Sequence, residues 1–440
     1  MSNLELALWS FPVLLALIFL RIPIALAMLI VGFGGTWLVT GAPLMMMNQL
    51  KTLTYGTFSN YSLSIIPLFL LMGQFAALSG MSAALFRAAA SLLGHRRGGV
   101  AMSAIGACAG FGAICGSSLA TAATMGQVAL PELRRYGYDG ALATGTLAAG
   151  GTLGILIPPS VILVIYAILA EQNIAKLFVA AMIPGILAAC GYMIAISVWV
   201  RLSPKAAAVR AKESWSERLR ALIAVLPVAA IFLLVVGGIY LGIFTPTEGA
   251  AVGAAGTGVA ALASRQLTLS RLKQAILATA ASTAMIFLII LGAGLYNSFL
   301  ALTQLPQTSA AWVAAQGFSP WIVLTAILVM YLLFGCIMDS LSMVLLTVPI
   351  IFPIMIGLDF GMGPDDFGLW FGILVLIVVE VGLITPPVGL NLFIINSMAG
   401  DIAIGETYRG ALPFVLTDVL RVALLASFPA ITLWLVRLIY

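Results

Sequence analysis

The groups able to do chemistry in this chain are few, and they fall in two matched sets. Ser117, Ser118 and Thr121 lie inside a charge-free run, Val100–Leu130, and Thr152 and Ser160 bracket the Pro158-Pro159 pair further on. Asp339, Ser340 and Ser342 sit within a second apolar run, Trp321–Phe352, and Thr385 and Asn391 bracket Pro386-Pro387. The spacing repeats. Ser117-Ser118-Leu119 through Pro131 aligns with Asp339-Ser340-Leu341 through Pro353 at a constant offset of 222 residues, and Gly154 through Pro159 aligns with Gly382 through Pro387 at 228. A Pro-Pro pair stops a helix, because neither ring donates an N–H and each clashes with the carbonyl four residues back. The residue before each proline is also pushed out of the helical region. In lipid the carbonyls freed in this way are tolerated only inside protein or against a polar cavity.

A helix broken opposite a mid-membrane turn gathers N–H groups, carbonyls and hydroxyls. The N–H ends suit a substrate carboxylate. The carbonyl ends and hydroxyls suit a small hard cation. No lysine or histidine stands in either set, so they read as sites for a dehydrated monovalent cation, with two sites implying at least two ions per cycle. Serines and threonines in membrane helices also serve packing or bond back to their own helix. That reading fits the many small residues of Ala101–Ala113 and Ala120–Gly126; the hydroxyls at a matched tip or break read as functional.

Three charges within apolar segments stand apart. Asp339, at the second tip, reads as functional, since an intramembrane carboxylate is expensive without a partner. Glu380, just before the second break, is either a supporting ligand or a proton-linked group. Asp418 and Arg421, three apart on one helix, read as a neutralising pair or a partner contact. No Gly-Lys-Ser/Thr phosphate loop is present, so nucleotide hydrolysis is not expected. One histidine (His95) and four cysteines in apolar segments, Cys108, Cys115, Cys190 and Cys336, argue against a metal centre or a disulfide framework. No cofactor is expected beyond coupling ions, and no His/Asp/Ser constellation suggests an enzyme.

The elements that must position these groups are membrane helices. With 62% hydrophobic and only 8% charged residues, the chain lacks the roughly 25% charged residues that cover a soluble surface. The net charge of +5 is spread over loops and is no nucleic-acid signal. Met1–Ser10 has no basic residue and no cleavage pattern follows, so the first apolar run reads as a span, not a signal peptide. The expected spans are Leu4–Leu20, Ile22–Thr40 and Tyr61–Ser79, then an interfacial amphipathic helix, Met81–Leu93. A straight helix over Val100–Leu130 would be about 46 Å long against a hydrocarbon core of about 30 Å. It would also place Arg96-Arg97 and Arg134-Arg135 on opposite sides. A hairpin turning at Gly116–Ser118 and returning to the cytoplasm is the better reading. A broken span Ala141–Ala170, a span Leu177–Val200, a basic loop Arg201–Arg220, and spans Ala221–Phe244, Gly249–Ala263 and Ala275–Leu300 follow. Trp321–Phe352, with acidic flanks, reads as a second hairpin entered from outside. A broken span Leu369–Met398 and a last span Ala411–Leu435 finish the chain. Sixteen of the 20 basic residues then lie inside, three outside (Lys51, Lys176 and Arg437) and Arg421 in a span, which sets the orientation.

The expected fold is therefore an all-α integral membrane protein with an inverted-topology repeat, two re-entrant hairpins and two broken helices. Its parts are N-terminal scaffold spans (1–60), a first repeat (61–200), connecting scaffold spans (201–274) and a second repeat (275–440). Such near-symmetry around a central site is a secondary-transporter architecture. A passive channel would need a continuous polar stripe and no such pair of breaks.

These residues resemble a known family. Gly116-Ser-Ser-Leu-Ala-Thr, Leu130-Pro131, Gly137-Tyr138-Asp139, Leu156-Ile-Pro-Pro-Ser160 and Pro184-Gly185 resemble the large permease subunit of tripartite ATP-independent periplasmic (TRAP) transporters. So do Phe244-Thr-Pro-Thr-Glu248, Asp366-Phe-Gly368 and Gly382-Leu-Ile-Thr-Pro-Pro-Val-Gly-Leu-Asn-Leu-Phe393, and the resemblance spans essentially the whole chain. It implies a bacterial or archaeal inner-membrane importer of organic acids such as dicarboxylates or sialic acids, driven by sodium through an elevator motion. A periplasmic substrate-binding protein and a small four-helix membrane subunit are the implied partners. The short stretch before the first span leads us to expect that small subunit as a separate chain. By motif, Gly116, Ser117, Ser118, Gly154, Pro158 and Pro159 would form one sodium site, and Asp339, Ser340, Gly382, Thr385, Pro386 and Pro387 the other. Thr121, Thr152, Ser342 and Glu380 are the further candidates beside them, and Ser118, Ser160 and Asn391 the candidates for substrate. One departure is Thr121, where many members carry an acidic residue. A stand-alone carboxylate symporter without a binding protein is the alternative.

Overall fold

The structure, a computed structural model, describes residues 2–440, the side chain of Ala314 excepted. It is all-α, with no strand among the described residues. Four helices are long and apolar enough to cross a membrane alone: Tyr61–Leu78, Ile174–Leu202, Leu269–Leu302 and Ile404–Ser427. Two bent pairs reach that length and apolarity only when joined, Gly140–Leu156 with Val161–Leu169 at 47° and Trp215–Ile223 with Leu226–Tyr240 at 43°.

The first hairpin has arms Gly99–Cys115 and Ser118–Arg135, and the second Pro320–Gly335 and Ser340–Ile356. Arms of 16 and 17 residues rise roughly 24–26 Å, short of a full crossing. The second broken helix runs Pro364–Gly382, then Leu390–Ala399. The order span, short helix, hairpin, broken helix, span is met twice, so the chain is a membrane protein built as an inverted-topology repeat. The amphipathic helix before the first hairpin, Met81–Leu93, has the bounds its pattern predicts. Its counterpart before the second, Leu305–Ala315, escapes prediction because it is short and weakly patterned.

Three further boundaries differ from expectation. Pro43–Phe58 is a helix whose Asn48, Gln49 and Lys51 dilute its apolar signal. The basic loop ends in a helix, Trp215–Ile223, opened by a Ser214/Glu217 capping box, so the crossing that follows begins only at Leu226. The last span stops at Ser427, where Phe428 is extended before Pro429 and a separate helix, Pro429–Ile439, begins.

The halves exchange scaffold helices. Ile24–Thr40 packs along Leu269–Leu302, the first helix of the second repeat, and Pro246–Ala263 along Ile65–Leu78 in the first. The broken helices form the core: from Leu142 to Leu156 and from Phe367 to Gly382 every residue is buried.

Candidate functional site

Each hairpin tip is built as a helix end meeting a helix start. In the first, Gly99–Cys115 ends on Gly116 at φ +66°, a left-handed turn that suits glycine, and Ser117 caps the returning arm by accepting from the Ala120 N–H at 3.4 Å. In the second, Asp339 stands where the first half has Ser117, and its Oδ2 accepts from the Ser342 N–H at 3.1 Å. The Asp339 carboxylate is thus met by a helix N-terminus, and it is only half-buried.

Each tip sits on a break. Behind Gly140–Leu156, the residues Ile157–Ser160 are non-helical and wholly buried, and a Cβ on Gly116 would lie 3.2 Å from the Pro159 carbonyl oxygen. Ser160 caps Val161–Leu169. In the second half the Gly389 N–H donates to the Cys336 carbonyl at 3.2 Å, and the Asn391 N–H closes the loop onto the Leu383 carbonyl at 3.1 Å. Both Pro-Pro bonds, Pro158-Pro159 and Pro386-Pro387, are cis.

Glycines let the backbones touch. A Cβ on Gly112 would lie 2.5 Å from Gly154 Cα, and one on Gly382 2.4 Å from the Gly335 carbonyl carbon. Gly112 and Gly335 are close-approach positions that sequence reasoning missed, although their spacing, close to the repeat offset, offered a signal. Around Gly154 two oxygens converge, since a Cβ there would lie 2.4 Å from Thr121 Oγ1 and 2.7 Å from the Ser117 carbonyl oxygen. Thr121 Oγ1 is buried and makes no hydrogen bond in the protein, while the Ser117 carbonyl beside it accepts from the Thr121 N–H at 3.0 Å and keeps its second lone pair open.

Glu380 is where the two halves meet. It is 1% exposed, and the Ser340 hydroxyl donates to its Oε1 at 2.7 Å. The Ser118 hydroxyl of the first tip lies beside the same carboxylate, and Oε2 has no hydrogen-bond partner. One carboxylate therefore holds the serine of the second tip and lies beside that of the first, with an oxygen to spare.

The other candidates lie around this centre. Thr152 turns its hydroxyl to the Ala149 carbonyl and to Tyr192 Oη at 3.0 Å; Tyr192 donates to Asp418 Oδ2 at 2.7 Å, and Asp418 pairs with Arg421 at 2.9 Å. The Asp418–Arg421 pair is thus internal, both side chains at most 5% exposed. Tyr192 gave no sequence signal. Asn391 donates to the Ala148 carbonyl at 3.2 Å, bracing one broken helix on the other, while its Oδ1 stays unpartnered. Thr385 bonds back to the Val381 carbonyl at 2.6 Å and is half-buried. Pro386 and Pro387 are exposed, so the second break is open where the first is closed.

Comparison with known proteins agrees with this architecture. The family described as tripartite ATP-independent periplasmic transporter, DctM component, matches residues 11–431. The C4-dicarboxylate TRAP transporter large permease protein DctM of Pseudomonas aeruginosa is 37% identical over 382 residues, covering 86% of this chain and 87% of that one. The sialic acid TRAP transporter large permease protein SiaM of Vibrio cholerae is 31% identical over 384 residues, covering 87% and 88%. Among solved structures, the Alcanivorax borkumensis YdaH transporter shares the fold at a TM-score of 0.61 and 16% identity, over 87% of this chain and 88% of that one. The chain belongs to the DctM component family of tripartite ATP-independent periplasmic transporters, whose members are permeases rather than enzymes.

Proposed function

We propose that the chain is a sodium-coupled importer of small organic carboxylates in a bacterial or archaeal inner membrane, fed by a periplasmic binding protein and supported by a small membrane subunit. The substrate class follows the relatives named for C4-dicarboxylates and sialic acid. The observation that carries the reading is that each tip meets its break beside an unpartnered buried side-chain oxygen, Thr121 Oγ1 in the first half and Glu380 Oε2 in the second. Oxygens alone suit a hard cation. The N-termini of the returning arms, with Ser118, Ser160 and Asn391 near them, suit the substrate carboxylate. An open second break and a closed first one fit one state of an alternating-access cycle. Two sodium ions carried with a monoanion would move one net positive charge inward, which the membrane potential assists by about 2.3 kcal/mol per 100 mV.

Uptake into proteoliposomes, with and without a sodium gradient and the binding protein, tests this. We expect sigmoidal sodium dependence, an absolute need for the binding protein, and loss of uptake in Glu380→Gln. Uptake without the binding protein would favour a stand-alone symporter. Uptake driven by a pH gradient alone would make Glu380 a proton carrier instead.

A further inference from the structure

A polar cleft of about 620 Å³ lies away from the central site, between Met81–Leu93, the end of the first hairpin's returning arm and Trp215–Ile223. Arg87, Arg135, Arg210 and Arg220 reach it from these elements and the loop between them. Its carboxylates are already engaged. Glu132 pairs with Arg135 at 3.6 Å and Glu213 pairs with Arg210. Glu217 accepts from the Ser214 N–H and hydroxyl at 2.9 and 2.7 Å, hydrogen bonds that hold its carboxyl below the usual carboxylate range. Arg87 and Arg220 have no ion-pair partner among the described residues.

Beside the cleft, one turn before the lining residue Ala221, stands Arg218. It is 94% buried, lies against the Trp215 ring at 5.3 Å, and makes no hydrogen bond through Nε or Nη2. Its two idle donors leave an uncompensated positive charge beside the cleft, a cost that an anion bound nearby would offset. The same helix exposes Trp215, Leu219, Leu222 and Ile223. An apolar face with a tryptophan beside a basic face is the make-up of a helix lying at the headgroup level. On the sidedness read from lysine and arginine, this is the cytoplasmic leaflet, where anionic lipids meet basic pockets between helices.

We propose that this cleft binds the phosphodiester headgroup of an anionic phospholipid, with Arg87 and Arg220 as its ligands, Arg218 adding positive charge from beside it, and the acyl chains over Leu219 and Leu222. The lipid would tie two interfacial helices to the base of the first hairpin. Any effect on transport rests on the proposed motion of that hairpin; the binding itself does not.

The test is native mass spectrometry of the permease released from nanodiscs containing phosphatidylglycerol and phosphatidylcholine. We expect about one phosphatidylglycerol retained per chain, preferred over phosphatidylcholine. At about fivefold per basic side chain near an anionic leaflet, Arg87→Gln with Arg220→Gln should weaken retention about 25-fold. Both side chains are exposed, so folding should survive. Arg271→Gln with Lys273→Gln removes the same charge elsewhere on that face and should leave retention unchanged. Three results would overturn the proposal: equal retention of both lipids, equal loss in the control pair, or displacement of the lipid by millimolar inorganic phosphate, which would mark a soluble-anion site.

Discussion

Gly382→Ala puts the contact between hairpin and broken helix to a direct test. The added methyl carbon would lie 2.4 Å from the Gly335 carbonyl carbon and 2.5 Å from its Cα. Carbon atoms rest comfortably at about 3.5–4.0 Å, so the two backbones must part by roughly 1 Å. No rotamer can absorb this, because both obstacles are backbone. Overpacking of this kind costs about 1–3 kcal/mol. Two residues away, the 2.7 Å bond from Ser340 to Glu380 spans the same gap. Lengthened by roughly 1 Å, it ceases to be a hydrogen bond. If that cost falls on the ion-competent arrangement, the sodium concentration for half-maximal uptake rises about 5- to 150-fold. Gly112→Ala, whose methyl would meet Gly154 Cα at 2.5 Å, should do the same through the first half. Gly34→Ala, with nothing within 4 Å, is the control and should leave the curve unchanged. Initial rates of binding-protein-dependent uptake, titrated with sodium and normalised to protein per vesicle, measure all three. A wild-type curve for Gly382→Ala at normal protein levels would refute the reasoning.

Replacing Pro158-Pro159 with Ala-Ala should let the first broken helix close and withdraw its carbonyls; quantified membrane levels should stay normal while uptake is lost, and undiminished uptake would reduce the break to a kink. Asp418→Asn strands Arg421 in the interior and should destabilise the protein by about 3–5 kcal/mol, against about 1.5–3 kcal/mol for Tyr192→Phe; thermal unfolding in detergent should rank them in that order. With exposed Cys190 first removed, single cysteines at Ser319 and Asp359 should both react with an impermeant reagent from outside, whereas labelling of one from each side would undo the second hairpin.

Punctuation by glycine and proline made much of the architecture legible. The turn at Gly116, both breaks and the repeat offsets are local signals, and the hairpins fall where the two long apolar runs place them. What the sequence conceals is direction. Asp339 draws attention as the carboxylate at a tip, yet the Ser342 N–H at the start of the returning arm satisfies it. Glu380, left open between two roles, is the one wholly buried between the tips. A run of apolar residues fixes depth along a helix but not which neighbour a side chain faces. Thr152 is a case in point: its partner Tyr192 is 40 residues away, and Tyr192 reaches Asp418 across 226 more. No period or spacing encodes such a network.

The distribution of hydrogen bonds bears on which parts move together. Within and between the repeats, the hairpins, broken helices and closing spans are tied by polar bonds: Ser340 to Glu380 and Trp370 to the Leu425 carbonyl at 2.9 Å inside the second, and Asn391 to Ala148, Tyr166 to the Gly368 carbonyl at 2.8 Å and Arg134 to Asp401 between the two. The scaffold has its own tie, Ser10 to Tyr296 at 2.8 Å. Among the described residues, no side-chain hydrogen bond joins Ile24–Thr40, Ile65–Leu78, Pro246–Ala263 or Leu269–Leu302 to a hairpin or a broken helix. Ile65–Leu78 meets the first hairpin by close approach, a Cβ on Gly73 lying 3.0 Å from the Cys115 carbonyl oxygen, and meets the closing span Ile174–Leu202 through Phe69 against Phe178 at 6.3 Å between ring centres. Hydrogen bonds hold one register and are costly to break without water, whereas apolar surfaces exchange one set of contacts for another at small net cost. A seam without directional bonds around a core full of them is what the proposed elevator motion requires. In that proposed motion Glu380, bonded to the second tip and beside the first, would keep the two hairpins together.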